Sequence, residues 1–579
     1  VRTPIAAGVL LLALAAAEPA AAATISAYPP PGTRTAMPGT QISFRGAPPA
    51  QLGTISVSGS RSGRHAGTLK AHSDGQGASW VPAKPFRAGE RLTVRTSLDI
   101  NGAKDGDFGL TIGEPTTLGP RVGERPVVGR GNVQHYATEP KWEPPAVVIN
   151  TVKPGRAPGL VFIAPKAGRG QDGPMIIDDS GRLVWFRPIS QGDLAADFRV
   201  QTYQGRPALT WWEGKLFTGD GAGTGVIYDS SYRKIAGVHA GNGYAFDLHE
   251  FTITPRDTAL ITVYQRFKKN LRNWGGTGQG RIVDSIVQEI DVKTGLVLFE
   301  WHSLGDVGLS ESYIVPPSKR GFEWDYMHVN SVAEDAEGNF IVSGRNTWTV
   351  YKIGRASGHV VWRLGGKKSD YKIGPGVAFA WQHSARPQPD GTLTIFDNDA
   401  GTKPVRKSSR ALTLTLDGAS KTASLKTARI HPGGLSAATQ GDVEVLPNGN
   451  QFVGWGSRGY FSEFTPTGEM VFDGRLARGN DTYRAFRYPW SGTPAAPPKV
   501  VAETKGGQTT VRASWNGATG VARWQALGGP AATGLAVVGT APAAGFETAI
   551  TLPAQGFVAM RALDAAGNVL ASSATVKAG

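Results

Sequence analysis

The chain of 579 residues contains no cysteine. That removes disulfides, thiol nucleophiles and cysteine-based zinc sites, and it means that export cannot be argued from disulfides. No long stretch carries helical periodicity, and the apolar run from Ile5 to Ala17 is too short to span a bilayer. A Gly-x-Ser-x-Gly elbow and a Gly-x-x-x-x-Gly-Lys phosphate loop are both missing, so serine hydrolysis by that route and phosphate-loop nucleotide binding lack their signatures. The glycine-rich stretches Gly219 to Gly225 and Gly275 to Gly280 have the wrong spacing and read as loops. The net charge is +15, yet lysine and arginine are scattered and no helix-turn-helix, finger or RNA-binding signature accompanies them. No nucleic-acid partner is expected; the charge reads as the solvated basic surface of a secreted protein, to which an anionic substrate or wall polymer could still be drawn.

What is abundant is turn chemistry, with 77 Gly and 39 Pro. Between about residue 158 and residue 476, short apolar runs alternate with segments shaped as apolar-x-apolar, turn, apolar-x-apolar. Short runs start at Gly159, Pro207, Asp257, Gly338, Gly391 and Gly449. Hairpins are predicted over Met175 to Phe186, Val226 to Val238, Val287 to Trp301, Val350 to Trp362, Leu412 to Leu425 and Phe461 to Phe472. Gly, Asp and Ser at the turns supply the positive φ angles and local hydrogen bonds that tight hairpins require. With one further strand opening each unit, the period of roughly 40 to 50 residues matches propeller blades. The fold expected is all-β, a six-bladed β-propeller over residues 146–492 flanked by two immunoglobulin-like β-sandwich domains. A pair of β-sandwiches is the rival, but its strands would not recur as matched hairpins.

Residues 1–23 carry Arg2, the short apolar run and Ala21-Ala22-Ala23, which reads as a secretory signal peptide and predicts a secreted or extracytoplasmic protein with no transmembrane span after its removal. Residues 24–112 alternate small apolar and polar residues as a first sandwich. A Pro/Gly-rich connector follows over 113–145. A Pro-rich linker at 493–498 leads to a second sandwich of fibronectin or immunoglobulin type over 499–579. Both flanks read as spacers or docking modules, with cell-wall or surface association one use for them.

Three histidines recur at one place in the repeat: His249 in Asp-Leu-His-Glu-Phe, His328 in Tyr-Met-His-Val-Asn, and His383 in Trp-Gln-His-Ser-Ala-Arg. In a propeller the strand nearest the axis opens each blade, so all three would meet at the mouth of the central funnel. Gln440-Gly441-Asp442 and Asp197-Phe198 stand in the same register. Any single histidine is more often a packing residue; three in one register point to a site. Arg345, in Ser-Gly-Arg-Asn-Thr, offers a planar cationic fork suited to a tetrahedral anion, or to a structural salt bridge. Asn330 lies two residues past His328, on the same side by strand alternation. Tyr244, Phe246, Trp324, Tyr326, Trp348 and Trp381 flank the histidine strands and are candidates to wall in an aryl group, although most such aromatics pack between blades.

The ordered series Asp-Leu-His, His-Val-Asn-Ser-Val, Ser-Gly-Arg-Asn, Gly-His-Val-Val-Trp-Arg-Leu-Gly-Gly and Gln-His-Ser-Ala-Arg-Pro with Asp-Gly-Thr-Leu-Thr-Ile-Phe-Asp-Asn resembles the bacterial arylsulfotransferase family over about residues 145–490. The resemblance implies a six-bladed propeller that moves a sulfuryl group from an aryl sulfate donor to a phenolic acceptor, without nucleotide donor, through a transient sulfohistidine. It makes His383 the nucleophile, has His249 and His328 bind the sulfuryl oxygens and exchange protons with the phenolic oxygen, and has Asn330 and Arg345 hold the anion. Tyr244, Tyr326, Trp348 and Trp381 become substrate-binding candidates. Small phenols are the partners expected, with no cofactor and no metal. The chain departs from periplasmic members in lacking their cysteine pair and in carrying the C-terminal domain, as a divergent secreted branch would. Two other classes remain open on the residues alone: a metal-dependent propeller lyase or hydrolase acting on an acidic polysaccharide, in which the histidine trio binds the ion, and a non-catalytic propeller that binds a wall polymer or partner. Asp397-Asn398-Asp399 has the residue types of a calcium turn, but three polar residues carry little information.

Overall fold

In a computed structural model, the described residues are 24–117, 132–217, 219–319, 321–400 and 405–579. The leader expected over 1–23 and part of the connector lie outside them. The protein is all-β and propeller-like. No helix among the described residues is long and apolar enough to cross a membrane.

Each of the six expected hairpins is present, and the turn chemistry explains why. Met175–Ile177 pairs with Leu183–Phe186 around Gly181, whose φ of 79° is a conformation that costs glycine least. Gly221–Tyr228 pairs with Lys234–Val238, Gly280–Asp291 with Val297–His302, Thr349–Ile353 with Val360–Gly365, Arg410–Asp417 with Thr422–Arg429, and Tyr460–Phe464 with Met470–Leu476. Each hairpin packs behind one of the short apolar runs, which form the strands Leu160–Lys166, Arg206–Leu216, Thr258–Lys269, Phe340–Gly344, Thr392–Asp397 and Gln451–Gly454. These inner-facing strands are buried on both sides, as Leu260, Ile261, Val263, Val342, Ile395 and Val453 show.

The innermost strands close a ring. Leu194–Tyr203, Phe246–Ile253, Val329–Glu334, His383–Pro387, Asp442–Val445 and Asp481–Tyr488 contact one another in that order, and the last returns to the first. One feature differs from the expectation that every unit opens with its own inner strand. The first unit takes its inner strand from the far end of the chain, Asp481–Tyr488, which pairs with Leu160–Lys166. In exchange, Val147–Val152 becomes the outermost strand of the last unit, beside Met470–Leu476. This swap fastens both ends of the ring with backbone hydrogen bonds.

The inner strands are irregular where they face the axis. Register shifts interrupt pairing between Asp247 and Phe251, Val329 and Ser331, and His383 and Arg386. Asp197, His328, Trp381, Ser384 and Gln440 all adopt positive φ between 52° and 68°, a conformation that non-glycine residues take up at a cost and that clusters at functional sites.

Residues 24–117 contribute two four-stranded antiparallel sheets that enclose a common core of Ile42, Phe44, Val57, Trp80, Leu92 and Val94. This unit docks on the third hairpin: Tyr28 packs on Phe299 at 4.9 Å, and Ser73 donates to Asp291 through both its backbone amide and its hydroxyl. Residues 499–579 form another pair of sheets around Val511, Trp524, Val558 and Met560. Asn516 ties that unit to the first hairpin by bonding both the amide and the carbonyl of Phe186.

Candidate active site

The histidine register delivers three imidazoles to one end of the ring. His249 lies in the irregular part of Phe246–Ile253, with Asp247 two residues before it. The Asp247 carboxylate accepts from His249 Nδ1 at 2.6 Å and also from the His249 amide, the Gly221 amide and the Thr262 hydroxyl. Burial works to raise the Asp247 pKa, but the His249 ring and the amide donors outweigh it and hold the group below its ordinary value, as an anion.

His328 immediately precedes Val329–Glu334, and its left-handed backbone turns the ring toward the axis. Its ring meets that of His249 edge to face, with centroids 4.9 Å apart, and Tyr264 packs against both at 5.4 and 5.3 Å. Nδ1 of His328 is engaged by the Asp325 carboxylate. Burial lowers the His328 pKa below its usual value, against the opposing pull of Asp325.

His383 opens the strand His383–Pro387 and is 1 % exposed. Nδ1 sits 2.7 Å from Asn398 Oδ1 and 3.2 Å from the Trp381 carbonyl, while Nε2 accepts from the Gln440 amide at 3.2 Å. Burial first, then the Arg345 charge, pushes its pKa well below the ordinary histidine value. This imidazole is neutral at physiological pH.

Arg345 lies in the turn after Phe340–Gly344, and its amide donates to the His328 carbonyl at 2.9 Å, which pins the turn to that histidine. Its guanidinium donates to Asn346 Oδ1 and the Ala438 carbonyl and lies over the Trp381 ring at 4.9 Å. No side-chain carboxylate within the described residues forms a salt bridge with it, so the structural alternative for this arginine is not realised. Asn330 is fully buried, and its Nδ2 donates to the Gln382 carbonyl. Asn330 Oδ1, Arg345 Nε, Trp348 Nε1 and Asp325 Oδ1 are buried polar atoms without a hydrogen-bond partner among the described residues, a concentration that ordinary packing avoids.

The aromatic candidates divide. Trp348 and Trp381 meet at 5.2 Å beside Arg345, and Tyr313 stacks on Trp348 at 3.6 Å with the rings nearly parallel. Tyr244 and Tyr326 do not join them. Tyr244 packs near His302 in the core toward Met37, and Tyr326 lies in the core with Trp324 and Val307. Phe246 and Trp324 are likewise core residues.

Several contributors were not anticipated. Tyr313, Tyr264, Asp247, Asp325 and Asn398 all touch the site, and beneath it lies a buried ionic cluster. Arg484 bonds Asp197 at 2.8 Å and Glu250 at 3.4 Å, and Arg199 and Arg386 complete the charge balance around Glu250. Arg484 also donates to the carbonyls of His249 and Asn330, each at 3.0 Å, and the Tyr483 hydroxyl reaches the same two carbonyls. No group of three or more His, Asp or Glu residues among the described residues stands where it could hold a metal. Asp397 and Asp399 are engaged by Arg410 and Arg406 rather than arranged as a calcium turn.

An all-β, propeller-like protein with histidines, an arginine and tryptophans at one end of its ring is thus defined. Residues 199–477 match the model of the arylsulfotransferase (ASST) family, a match that supports membership in that family. The family suggests a sulfotransferase enzyme with small phenolic substrates. A search of curated proteins finds no match. Among solved structures, the chain is similar to a Bacteroides caccae protein of unknown function at 14% identity, covering 57% of this chain and 100% of that one, with a TM-score of 0.36. It is similar to a periplasmic gluconolactonase of Pseudomonas aeruginosa at 11% identity, covering 73% and 96%, with a TM-score of 0.32. It is also similar to virginiamycin B lyase of Staphylococcus aureus at 11% identity, covering 56% and 82%, with a TM-score of 0.26. TM-scores this low bear neither on the number of blades nor on the activity.

Proposed function

We propose that the chain transfers a sulfuryl group from an aryl sulfate to a phenolic acceptor through a sulfohistidine on His383, with no nucleotide donor. The observation that carries this reading is the buried His383, its pKa pushed well below the ordinary value, beside an arginine that forms no salt bridge among the described residues, with two further histidines backed by carboxylates. Nε2 of His383 gives up the hydrogen bond it accepts from the Gln440 amide and attacks sulfur with the freed lone pair, and the bond from sulfur to the aryl oxygen breaks. The departing phenolate takes a proton from His249 or His328. In the second half the acceptor oxygen attacks the same sulfur, its proton returns to that histidine, and His383 leaves as neutral imidazole. Dividing one transfer into two steps and placing proton donors at the leaving oxygen are each established sources of rate, the latter worth about 10²- to 10⁴-fold. In this reading Arg345 and the NH2 group of Asn330 stabilise the equatorial oxygens, and Trp348 and Trp381 stack on the aryl ring.

The scaffold in this reading is a six-bladed propeller with immunoglobulin-like flanking domains, supported by the closed ring of inner strands and by the paired sheets at each end. Export is proposed from the character of residues 1–23, and surface association from the flanking domains.

The test is to mix the mature protein with an aryl sulfate and a phenol, follow release of the donor phenol, and run His383→Ala in parallel. Acceptor-dependent turnover in the wild type alone, with a sulfuryl mass increment on the peptide holding His383, supports the reading. Absence of turnover across several donors and acceptors sinks it.

A further inference from the structure

The three histidines occupy equivalent places, and each has its Nδ1 bound by one side chain, but the partners are not alike. His249 has Asp247 and His328 has Asp325, whereas His383 has the uncharged Asn398. We propose that Asn398 is a positioning residue that fixes His383 with Nδ1 protonated and Nε2 carrying the lone pair, and that this exchange of carboxylate for amide is what makes His383 the nucleophile while His249 and His328 handle protons. The assignment of roles rests on the sulfuryl-transfer reading above; the tautomer does not.

Two independent contacts give the same tautomer. Asn398 Nδ2 donates to the carbonyls of Ala437 and Gln440, both at 2.9 Å, and carbonyls only accept. The amide is therefore oriented with Oδ1 toward His383, and an oxygen that only accepts requires a proton on Nδ1. On the other side of the ring the Gln440 amide, which only donates, points at Nε2. The asparagine is itself held: Ser409 Oγ donates to the Asn398 carbonyl at 2.6 Å and accepts from the Ala437 amide at 2.8 Å.

The chemical consequence follows from the charge of the partner. A carboxylate on Nδ1 favours imidazolium, which suits a group that must carry a proton to a leaving phenolate. The Asn398 amide oxygen carries no full charge, and its pull toward the protonated ring is outweighed by burial and Arg345, which push His383 toward the neutral form. The charged or titratable groups around His383 are Arg345, His249 and His328. Asp397 and Asp399, on either side of Asn398, are paired with Arg410 and Arg406. When Nε2 bonds to sulfur, the ring keeps its Nδ1 proton and becomes positive, because Asn398 cannot take that proton. A positive ring is the better leaving group when the acceptor oxygen attacks, since the electron pair of the Nε2–sulfur bond then neutralises it. A carboxylate at position 398 would draw the proton and quench that charge.

The experiment has two arms. In wild-type protein labelled with ¹⁵N-histidine, NMR is expected to show His383 neutral at pH 7 with a protonated Nδ1 and an unprotonated Nε2; the opposite tautomer overturns the proposal. In Asn398→Asp, the acid limb of the pH profile of kcat/KM is expected to move up by about one unit or more, and transfer from sulfated His383 to phenol to slow by about tenfold. A merely structural role would leave the limb in place with a uniform loss of kcat, and that result also overturns it. Should wild type transfer no sulfuryl group at all, the functional reading fails, while the NMR arm still decides the tautomer.

Discussion

Arg484 is expected to hold the site from below, and Arg484→Met tests this. Its guanidinium is fully buried between Asp197 and Glu250. Removing one partner of a buried ion pair costs roughly 3–5 kcal/mol, because the remaining charge has no solvent to turn to. Two features reduce that figure here. Asp197 keeps Arg199 at 3.1 Å, and Glu250 keeps both Arg199 and Arg386. The carbonyls of His249 and Asn330 lose the arginine but keep the Tyr483 hydroxyl, so the further loss is below the usual ~1 kcal/mol per hydrogen bond. The expected destabilisation is therefore at the lower end, about 3 kcal/mol. Urea unfolding followed by tryptophan fluorescence reads it, since Trp211, Trp212, Trp301 and Trp324 are buried in the ring. A loss below about 1 kcal/mol, within the range of ordinary surface changes, would refute the claim that this cluster pins the inner strands. The same cluster sets an acid limit. Burial works to raise the Glu250 pKa, but Arg386, Arg484 and Arg199 hold it well below the usual carboxylate range. A depressed carboxylate contributes stability that is fully present above its unfolded pKa of about 4.3 and fades as pH falls toward the folded value.

Arg345→Lys keeps the charge but loses the planar fork and its place over Trp381, and kcat/KM for an aryl sulfate is expected to fall about 10²-fold without loss of thermal stability. In Asp325→Asn, the carboxylate that opposes the burial-driven lowering of His328 is gone, so the imidazolium is lost at lower pH and the alkaline limb of the kcat profile moves down. Burial alone would lower the pKa of His302, but Asp284 and Glu300 raise it to about 10. A raised histidine contributes stability fully present below its unfolded pKa of about 6.5 and lost as pH rises through the folded value, so the melting temperature is expected to decline between pH 7 and 10 in wild type and to be flatter there in His302→Gln.

The hairpins could be read because their signal is local: a turn residue that tolerates positive φ, flanked by alternating apolar residues, specifies two adjacent strands wherever it occurs. The ring closure could not. Asp481–Tyr488 and Leu160–Lys166 pair across more than half the chain, and nothing in either segment names its partner. The histidine register was legible for the same reason as the hairpins, since it counts from them. The placement of Tyr326 away from the site has a specific cause. Tyr326 stands two residues before His328, which in a regular strand would place both on one face, but the chain takes a left-handed φ of 58° at His328 and the alternation ends there. Asp247 and Asp325 lie two and three residues from their histidines and were within reach of the sequence. Asn398 lies 15 residues from His383, on the neighbouring strand's end, and only the fold brings it there.

This difference in reach bears on how a repeat acquires chemistry. Three copies of one structural place, each given a histidine, would by symmetry offer three groups with the same acid–base behaviour, and transfer through a covalent intermediate needs two kinds. The ring nitrogen that faces the site is the same in principle in all three; what differs is the charge behind it. Two copies place an aspartate there from the local chain, and the third takes an amide from the following strand, in a pocket where Arg345 already disfavours protonation. The division between proton carrier and nucleophile then lies in the residues behind the histidines, so a sequence that kept all three histidines but carried aspartate at position 398 would be expected to retain the fold and to transfer the group more slowly, with its acid limb moved up.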